Sequence, residues 1–375
     1  MSAAESLYTP ERIAAAREAA ASLGLDALVI TPGAELRYLT GYDAHASERL
    51  TALVVPATGP AALIVPRLER PLAENSPLPG VGVSLTDYID GEDPYALLAA
   101  HLDEHLDGKN RVLGAAERMW AAHWHGIENA VHGARLALAG TVVNPMRMVK
   151  NAAEIAELGR AAGAIDRVHA RMGEWLHPGR TEREVAADIA AAIIEEGHTA
   201  VSFVIVASGP NGASPHHGVS DRVIERGEPV VVDIGGTVAS GYGSDCTRTY
   251  SIGEPPADFT AYYGALKAAH QAGVDAVRPG VTAASVDAAT RAVLTDAGYG
   301  EYFTHRTGHG IGLDGHEAPY IVSTDETVLT PGMTFSIEPG VYLPGRHGAR
   351  IEDIVVCTEE GVTRLDILPT EVTVL

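Results

Sequence analysis

The chain reads as an α/β domain followed by an α+β domain. Over the first 145 residues, helix-type and strand-type segments alternate, with short apolar strands of the kind buried on both faces. From residue 146 onward helices come in blocks and strands in hairpin-like pairs, which is not a βαβ succession. A length of 375 residues accommodates both domains, placed at 1–145 and 146–375.

Pro10 to Ser22 is Ala-rich and helical, with proline at its first turn. Leu25 to Thr31 is a short apolar strand. Leu53 to Val55 and Ala61 to Val65 are two more strands, separated by the Gly59-Pro60 turn. Leu97 to Leu106 is helical and Arg111 to Gly114 is a strand. His123, His125 and His132 lie close together with no paired carboxylate, and read as surface or helix-packing residues. The domain boundary falls near Val142 to Asn151, where Pro145 interrupts the pattern. A long helix follows from Ala152 to Trp175, then another from Thr181 to Glu196, with Thr181 and Glu184 fitting a capping box and Gly197 at the end. Val201 to Ala207 and Pro229 to Asp233 are strands. Helices at Ala257 to Val277 and Ala283 to Ala297 precede the last strands.

Composition narrows the function. Hydrophobic content of 46% with 20% charged residues is that of a soluble globular chain. A net charge of −22 argues against nucleic acid and against an anionic membrane, both of which need a basic face. Two cysteines, Cys246 and Cys357, sit in strand-like apolar runs, so a reducing cytoplasm is expected rather than a disulfide framework. The N-terminus, Met-Ser-Ala-Ala-Glu-Ser, has no basic segment leading into an apolar core, and no signal peptide is expected. No apolar run reaches the roughly 18–20 residues that span a bilayer.

The chemistry concentrates in the last third. Asp233 ends an apolar strand, and Gly235-Gly236 offers a turn away from it. Asp245 begins the next strand, after Gly241 and Gly243, so the two aspartates would face one another across a hairpin. Glu338 and Glu352 repeat the arrangement on strands Thr334 to Glu338 and Arg350 to Val356, with Pro339-Gly340 after the first. His309 lies between them in a run with glycine at 308, 310 and 312, a poor helix but a close approach for backbone. Four carboxylates and one imidazole balance the charge of two adjacent divalent cations and leave a bridging water as the natural nucleophile. Oxygen-rich ligation with a single nitrogen and no thiolate suits Mn²⁺, Co²⁺, Fe²⁺ or Zn²⁺, with Mg²⁺ less apt to recruit the imidazole.

The segments Val-Asp-Ile-Gly-Gly, Gly-Tyr-Gly-Ser-Asp-Cys-Thr-Arg-Thr, His-Arg-Thr-Gly-His-Gly-Ile-Gly-Leu-Asp-Gly-His-Glu, Ser-Ile-Glu-Pro-Gly-Val-Tyr and Arg-Ile-Glu-Asp resemble those of the pita-bread metallopeptidases. Among these the chain is most similar to Xaa-Pro dipeptidases (prolidases) and Xaa-Pro aminopeptidases. Leu36 to Tyr42, Leu-Arg-Tyr-Leu-Thr-Gly-Tyr, resembles a motif of their N-terminal domain. The resemblance implies a creatinase/prolidase-type N-terminal domain, a pita-bread catalytic domain and a homodimer. It implies Asp233, Asp245, His309, Glu338 and Glu352 as ligands of two divalent ions, Mn²⁺ foremost, with Asp245 and Glu352 bridging. It implies that His216 and His316 steady the tetrahedral intermediate, that His305 lines the proline pocket and that Arg350 supports the ligands at the substrate site. Glu338 would take the water's proton and pass it to the leaving nitrogen, while the two histidines bond the developing oxyanion.

Two departures from the family stand out. The Asp233 to Asp245 stretch is one residue longer than usual, which reads as a longer turn around Val238 to Ser240. Where some prolidases carry an arginine for the substrate's terminal carboxylate, this chain has Tyr320, which donates one hydrogen bond and no charge. Arg346, His347 or a residue of a neighbouring subunit are the replacements considered. The first expectation is an Xaa-Pro dipeptidase acting on proline-containing dipeptides. An Xaa-Pro aminopeptidase acting on longer peptides and a non-catalytic pita-bread binding protein are the alternatives. The Gly308 to Gly312 run lacks the strand and helix of a dinucleotide fingerprint, and His316-Glu317 has no second histidine at 320 to make a zincin helix.

Overall fold

The computed structural model describes residues 7–108 and 110–375. The chain divides into two compact units, Met1–Arg147 and Met148–Leu375.

In the first unit, α1 (Pro10–Ser22), β1 (Ala27–Ile30), α2 (Ala34–Thr40), β2 (Ala52–Pro56), β3 (Ala62–Pro66), α3 (Arg70–Glu74), β4 (Ser84–Tyr88), α4 (Pro94–His105), β5 (Val112–Ala115), α5 (Ala121–Ala130) and β6 (Arg135–Leu138) follow one another. The sheet is mixed, in the order β4-β3-β2-β1-β5-β6. β1, β2 and β3 are buried at every residue, as continuous apolar strands covered by helices must be. The Leu36 to Tyr42 motif forms α2, which Gly41 closes at φ 74°, a left-handed conformation that glycine adopts without steric cost. His123 is engaged by Tyr95 Oη at 2.9 Å and the Ser47 carbonyl at 3.0 Å, which accounts for it as a packing residue. The division between the units falls within the Val142 to Asn151 stretch, but the chain there is helical, α6 (Gly140–Met148), with Pro145 inside it. Proline removes one backbone donor there without ending so short an element.

The second unit has two halves of similar plan. Helices α7 (Ala152–Ala170) and α8 (Glu182–Glu195) precede β7 (Ala200–Ser208), β8 (Pro229–Thr237) and β9 (Cys246–Ser251). Helices α9 (Ala257–Ala276) and α10 (Ala283–Asp296) then precede β10 (Gly308–Gly310), β11 (Glu317–Ile321), β12 (Thr334–Ile337), β13 (Gly340–Leu343), β14 (His347–Arg350), β15 (Asp353–Thr358) and β16 (Gly361–Arg364), and β17 (Thr373–Val374) ends the chain. Capping boxes start α7 at Asn151 with Glu154 and α8 at Thr181 with Glu184. α7 stops at Ala170, and the stretch expected to continue it to Trp175 tightens into a short 3₁₀ turn, Met172–Glu174. Ile165, Val168, Ile189 and Ile193 pack with Val230 and Val232 in one core, and Val274 and Val286 with Phe335, Ile337 and Val355 in another. The strands form a four-stranded sheet β17-β9-β8-β7, a five-stranded sheet β11-β10-β12-β15-β16 and the β13-β14 hairpin. No helix among the described residues is long and apolar enough to cross a membrane.

Candidate metal centre

Strand register brings the acidic residues together. β8 and β9 are antiparallel with Asp233 opposite Thr247. Asp245 lies two positions before Thr247, so the period of two puts its side chain on the same face as Asp233. β8 does not end at Asp233 but runs on to Thr237, and Gly235-Gly236 makes no turn. These glycines give room instead: a Cβ at 235 would strike the Ser244 carbonyl and Phe203, and one at 236 the Ala200 carbonyl. The turn lies further on, where Gly241 N–H bonds the Val238 carbonyl at 2.7 Å.

Glu338 and Glu352 are brought opposite one another by the β12–β15 ladder, whose last pair is Ile337 with Asp353. The strand expected from Arg350 to Val356 is cut in two. Residues up to Arg350 pair with β13, while Asp353 onward pairs with β12. Between them Ile351 N–H bonds the Pro339 carbonyl at 3.3 Å and Glu352 N–H bonds the Thr247 carbonyl at 3.1 Å. Glu352 therefore stands where the chain changes ladders, beside the Asp245 strand. His309 is the middle residue of β10, held between β11 and β12. That close approach needs glycine on either side, because a Cβ at 308 would collide with the Ser336 carbonyl and one at 310 with the Ala318 carbonyl.

Asp233, Asp245 and Glu352 each offer an oxygen within 4.8 Å of the others; His309, Glu338 and Glu352, and likewise Asp245, His309 and His316, bring imidazole nitrogen and carboxylate oxygen within the same distance. His309 Nε2 is 3.7 Å from Asp245 Oδ2 and 3.4 Å from Glu338 Oε1. Its Nδ1 lies 3.2 Å from the Gly310 carbonyl, an acceptor, which puts the proton on Nδ1 and leaves the Nε2 lone pair toward the carboxylates. Burial, aided by His316, lowers His309 to about 3 and keeps it neutral. Burial pushes the Glu338 carboxyl up to about 8 against the pull of Arg350. Burial, then the neighbouring carboxylates, hold Asp245 and Glu352 well above the usual carboxylate range. Asp233 Oδ1 and Glu352 Oε1 are buried with no hydrogen-bond partner. A neutral imidazole, crowded carboxylates and orphaned oxygens are the donor set a pair of divalent cations would complete.

All five residues line one cavity of about 450 Å³ together with His216, His305, His316 and Arg350. Arg350, expected to support the ligands at the substrate site, lines the cavity with its guanidinium bonded to protein groups. It is 3% exposed and donates to Asp233 Oδ2 at 2.5 Å, Thr247 Oγ1 at 3.0 Å and Tyr342 Oη at 2.9 Å, so it fixes Asp233 and has no edge left for a ligand. Tyr342 ends the Ser-Ile-Glu-Pro-Gly-Val-Tyr segment and was given no role from sequence. It bonds His305 Nε2 at 2.8 Å, and His305 Nδ1 bonds the Arg306 carbonyl at 2.7 Å. His305 is thus a fixed wall of the cavity, held neutral, at about 4, by burial and by Arg350. Tyr320 is not in the lining. Arg306, also missed, is in the lining, with its guanidinium 4.5 Å from the centre of the Tyr320 ring. Arg346 and His347 both bond Asp258 and lie outside the lining. His217, next to His216, is tied to Glu182 at 2.8 Å.

The fold and this cavity are those of a metal-dependent hydrolase. Metallopeptidase family M24 matches residues 156–359, and the Creatinase/Prolidase N-terminal domain matches residues 12–149. The chain belongs to metallopeptidase family M24, in its two-domain pita-bread form. It is 53% identical over 364 residues to the probable dipeptidase PepE of Mycobacterium tuberculosis, covering 97% of this chain and 96% of that protein. It is 34% identical to the Xaa-Pro dipeptidase of Lactobacillus delbrueckii, covering 90% and 92%. The crystal structure of dipeptidase PepE from Mycobacterium ulcerans superposes with a TM-score of 0.92 at 55% identity, covering 97% of each chain.

Proposed function

We propose that this protein hydrolyses the Xaa-Pro bond of dipeptides, with two divalent ions held by Asp233, Asp245, His309, Glu338 and Glu352. The observation that carries the reading is the convergence of these five donors, two with orphaned oxygens, in one cavity. Mn²⁺ is the pair we expect from an oxygen-rich set with one imidazole. When bound, such ions supply an acidified water and a Lewis acid for the scissile carbonyl.

The chain's own groups do the rest. Glu338, at the open end of β12, is the base that takes the water's proton and returns it to the leaving proline nitrogen. His316 is held by Arg306 Nη2 at 3.3 Å from its Nδ1; arginine is always the donor, so His316 carries its proton on Nε2. Burial, then Arg306 and His216, lower His316 and keep it neutral, a donor suited to the oxyanion, with His216 of the same cavity lining as its counterpart. Phe203, Ile205 and Pro215 supply an apolar wall on which the pyrrolidine ring can lie. Arg350 keeps Asp233 in place through the Tyr342–His305 network. The names of the relatives, dipeptidase and Xaa-Pro dipeptidase, support the same substrate class. The two buried free thiols and the family resemblance support a cytoplasmic homodimer.

The test is hydrolysis of Ala-Pro, Ala-Ala and Ala-Pro-Ala by Mn²⁺-loaded protein. The proposal expects Ala-Pro to be cut, Ala-Ala to be spared and the tripeptide to be slower. Faster cleavage of Ala-Pro-Ala would make this an aminopeptidase, and no cleavage of either proline peptide would remove the Xaa-Pro reading.

A further inference from the structure

A dipeptide differs from a longer peptide in bearing its free carboxylate on the residue after the scissile bond. An enzyme selective for dipeptides needs a cation at that distance, and the usual solution is a guanidinium, whose planar fork matches a carboxylate. Two guanidiniums line the cavity, Arg306 and Arg350. Arg350 is consumed by Asp233, Thr247, Tyr342 and the Pro215 carbonyl. Arg306 is half-buried, and its guanidinium has one polar partner among the described residues, His316 Nδ1. No carboxylate of the protein pairs with it among the described residues.

We propose that Arg306 is the group that binds the C-terminal carboxylate of the dipeptide, and that Tyr320 positions it. The proposal rests on the Xaa-Pro dipeptidase reading above. Tyr320 pairs with His309 across the β10–β11 ladder, and its ring covers one face of the guanidinium at 4.5 Å. Stacking on an aromatic face leaves the in-plane N–H edge free to fork a carboxylate. The bond to His316 fixes the orientation further and ties the carboxylate site to the oxyanion donor. Position 320 therefore keeps a part in substrate recognition without a charge of its own: it supports an arginine that arrives from the strand entry before β10. The other candidates are removed by their partners, since Arg346 and His347 are held by Asp258 away from the cavity.

The test uses Mn²⁺-loaded enzyme and two substrates that differ at this carboxylate, Ala-Pro and Ala-prolinamide. Wild type is expected to prefer the acid. Arg306→Gln is expected to lose some activity on both substrates through His316, but about 10- to 100-fold more in kcat/KM on Ala-Pro than on Ala-prolinamide, the difference lying mainly in KM. Arg306→Lys should keep part of the preference. Tyr320→Phe should retain it, because the ring face remains, whereas Tyr320→Ala should erode it. Binding gives a readout free of turnover: by calorimetry L-proline should bind wild type more tightly than L-prolinamide, and Arg306→Gln should lose that margin. An equal loss on acid and amide in both Arg306 variants would overturn the proposal and leave Arg306 acting through His316. Equal wild-type cleavage of acid and amide would also overturn it, while the Xaa-Pro reading stood. Cleavage of neither would remove both.

Discussion

Asp233 meets the cavity with one carboxylate oxygen held by Arg350 and the other without a partner, and Glu352 likewise has one oxygen on Thr247 at 2.7 Å and one orphaned. This division, one oxygen anchored and one offered, sets the direction in which each side chain can act. Glu338 is less restrained, with Ser336 Oγ and His309 Nε2 each 3.4 Å from its Oε1 and no close anchor, as suits a group proposed to gain and release a proton. Glu338→Gln keeps the shape and one side-chain oxygen but removes the proposed base. It is expected to lower kcat on Ala-Pro by about 10²- to 10⁴-fold with little change in the thermal midpoint. A loss under tenfold would assign the proton transfer elsewhere. Tyr342→Phe leaves His305 Nε2 without its donor and Arg350 without one acceptor. We expect it to weaken metal binding and to raise KM for Ala-Pro with the fold intact, measured by calorimetry and steady-state kinetics.

At the scale of elements, the centre depends on how strands are locked rather than on any one strand's propensity. Arg248 in β9 donates to the Glu352 and Thr247 carbonyls, to Asp353 at 2.6 Å and to the Leu368 and Pro369 carbonyls, and so ties the Asp245 strand to the segment that carries Glu352. Lysine cannot reproduce this fork. Arg248→Lys is expected to cost about 2–3 kcal/mol by chemical denaturation and to reduce metal affinity at the same time. Unchanged metal affinity would separate this network from the site. Much of this level was legible in the sequence. The helices, the Thr181 capping box and the strands carrying Asp233 and Glu338 came through because apolar runs and cap residues are local signals, whereas the Asn151 box was not read. What was illegible depends on tertiary pairing. Nothing local says that Arg350 and Asp353 belong to different ladders, or that Gly235-Gly236 serves close packing rather than a turn. Arg306 and Tyr320 lie well apart in sequence and acquire meaning through the β10–β11 pairing. Arg350 could be placed near the ligands by resemblance, but its full set of protein partners could not.

For the whole molecule, the cluster of buried carboxyls couples stability to pH and to metal. Glu338 has an ordinary value of 4.5 and is raised to about 8 in the folded, metal-free protein. Below about pH 4.5 both states hold the proton and its contribution to stability is fully present. As pH rises from about 4.5 to about 8 the unfolded chain releases the proton first, and the contribution is lost by the upper end. Asp245 and Glu352 shift in the same direction and add with the same sign. Divalent ions held by these carboxylates would take the place of the protons and bind more tightly as pH rises. The thermal midpoint of chelator-stripped protein is therefore expected to fall between about pH 5 and pH 8, and its gap below the metal-loaded protein to widen; a constant gap would contradict the coupling. The central claim, that five side chains of one cavity hold two divalent ions for cleavage of an Xaa-Pro bond, is tested most directly by titrating Mn²⁺ into stripped protein while following bound metal and Ala-Pro hydrolysis together. The account predicts saturation at two ions per chain, hydrolysis that appears with occupancy, and neither in Asp245→Asn. Full-rate hydrolysis by metal-free protein, or none with both ions bound, would contradict it.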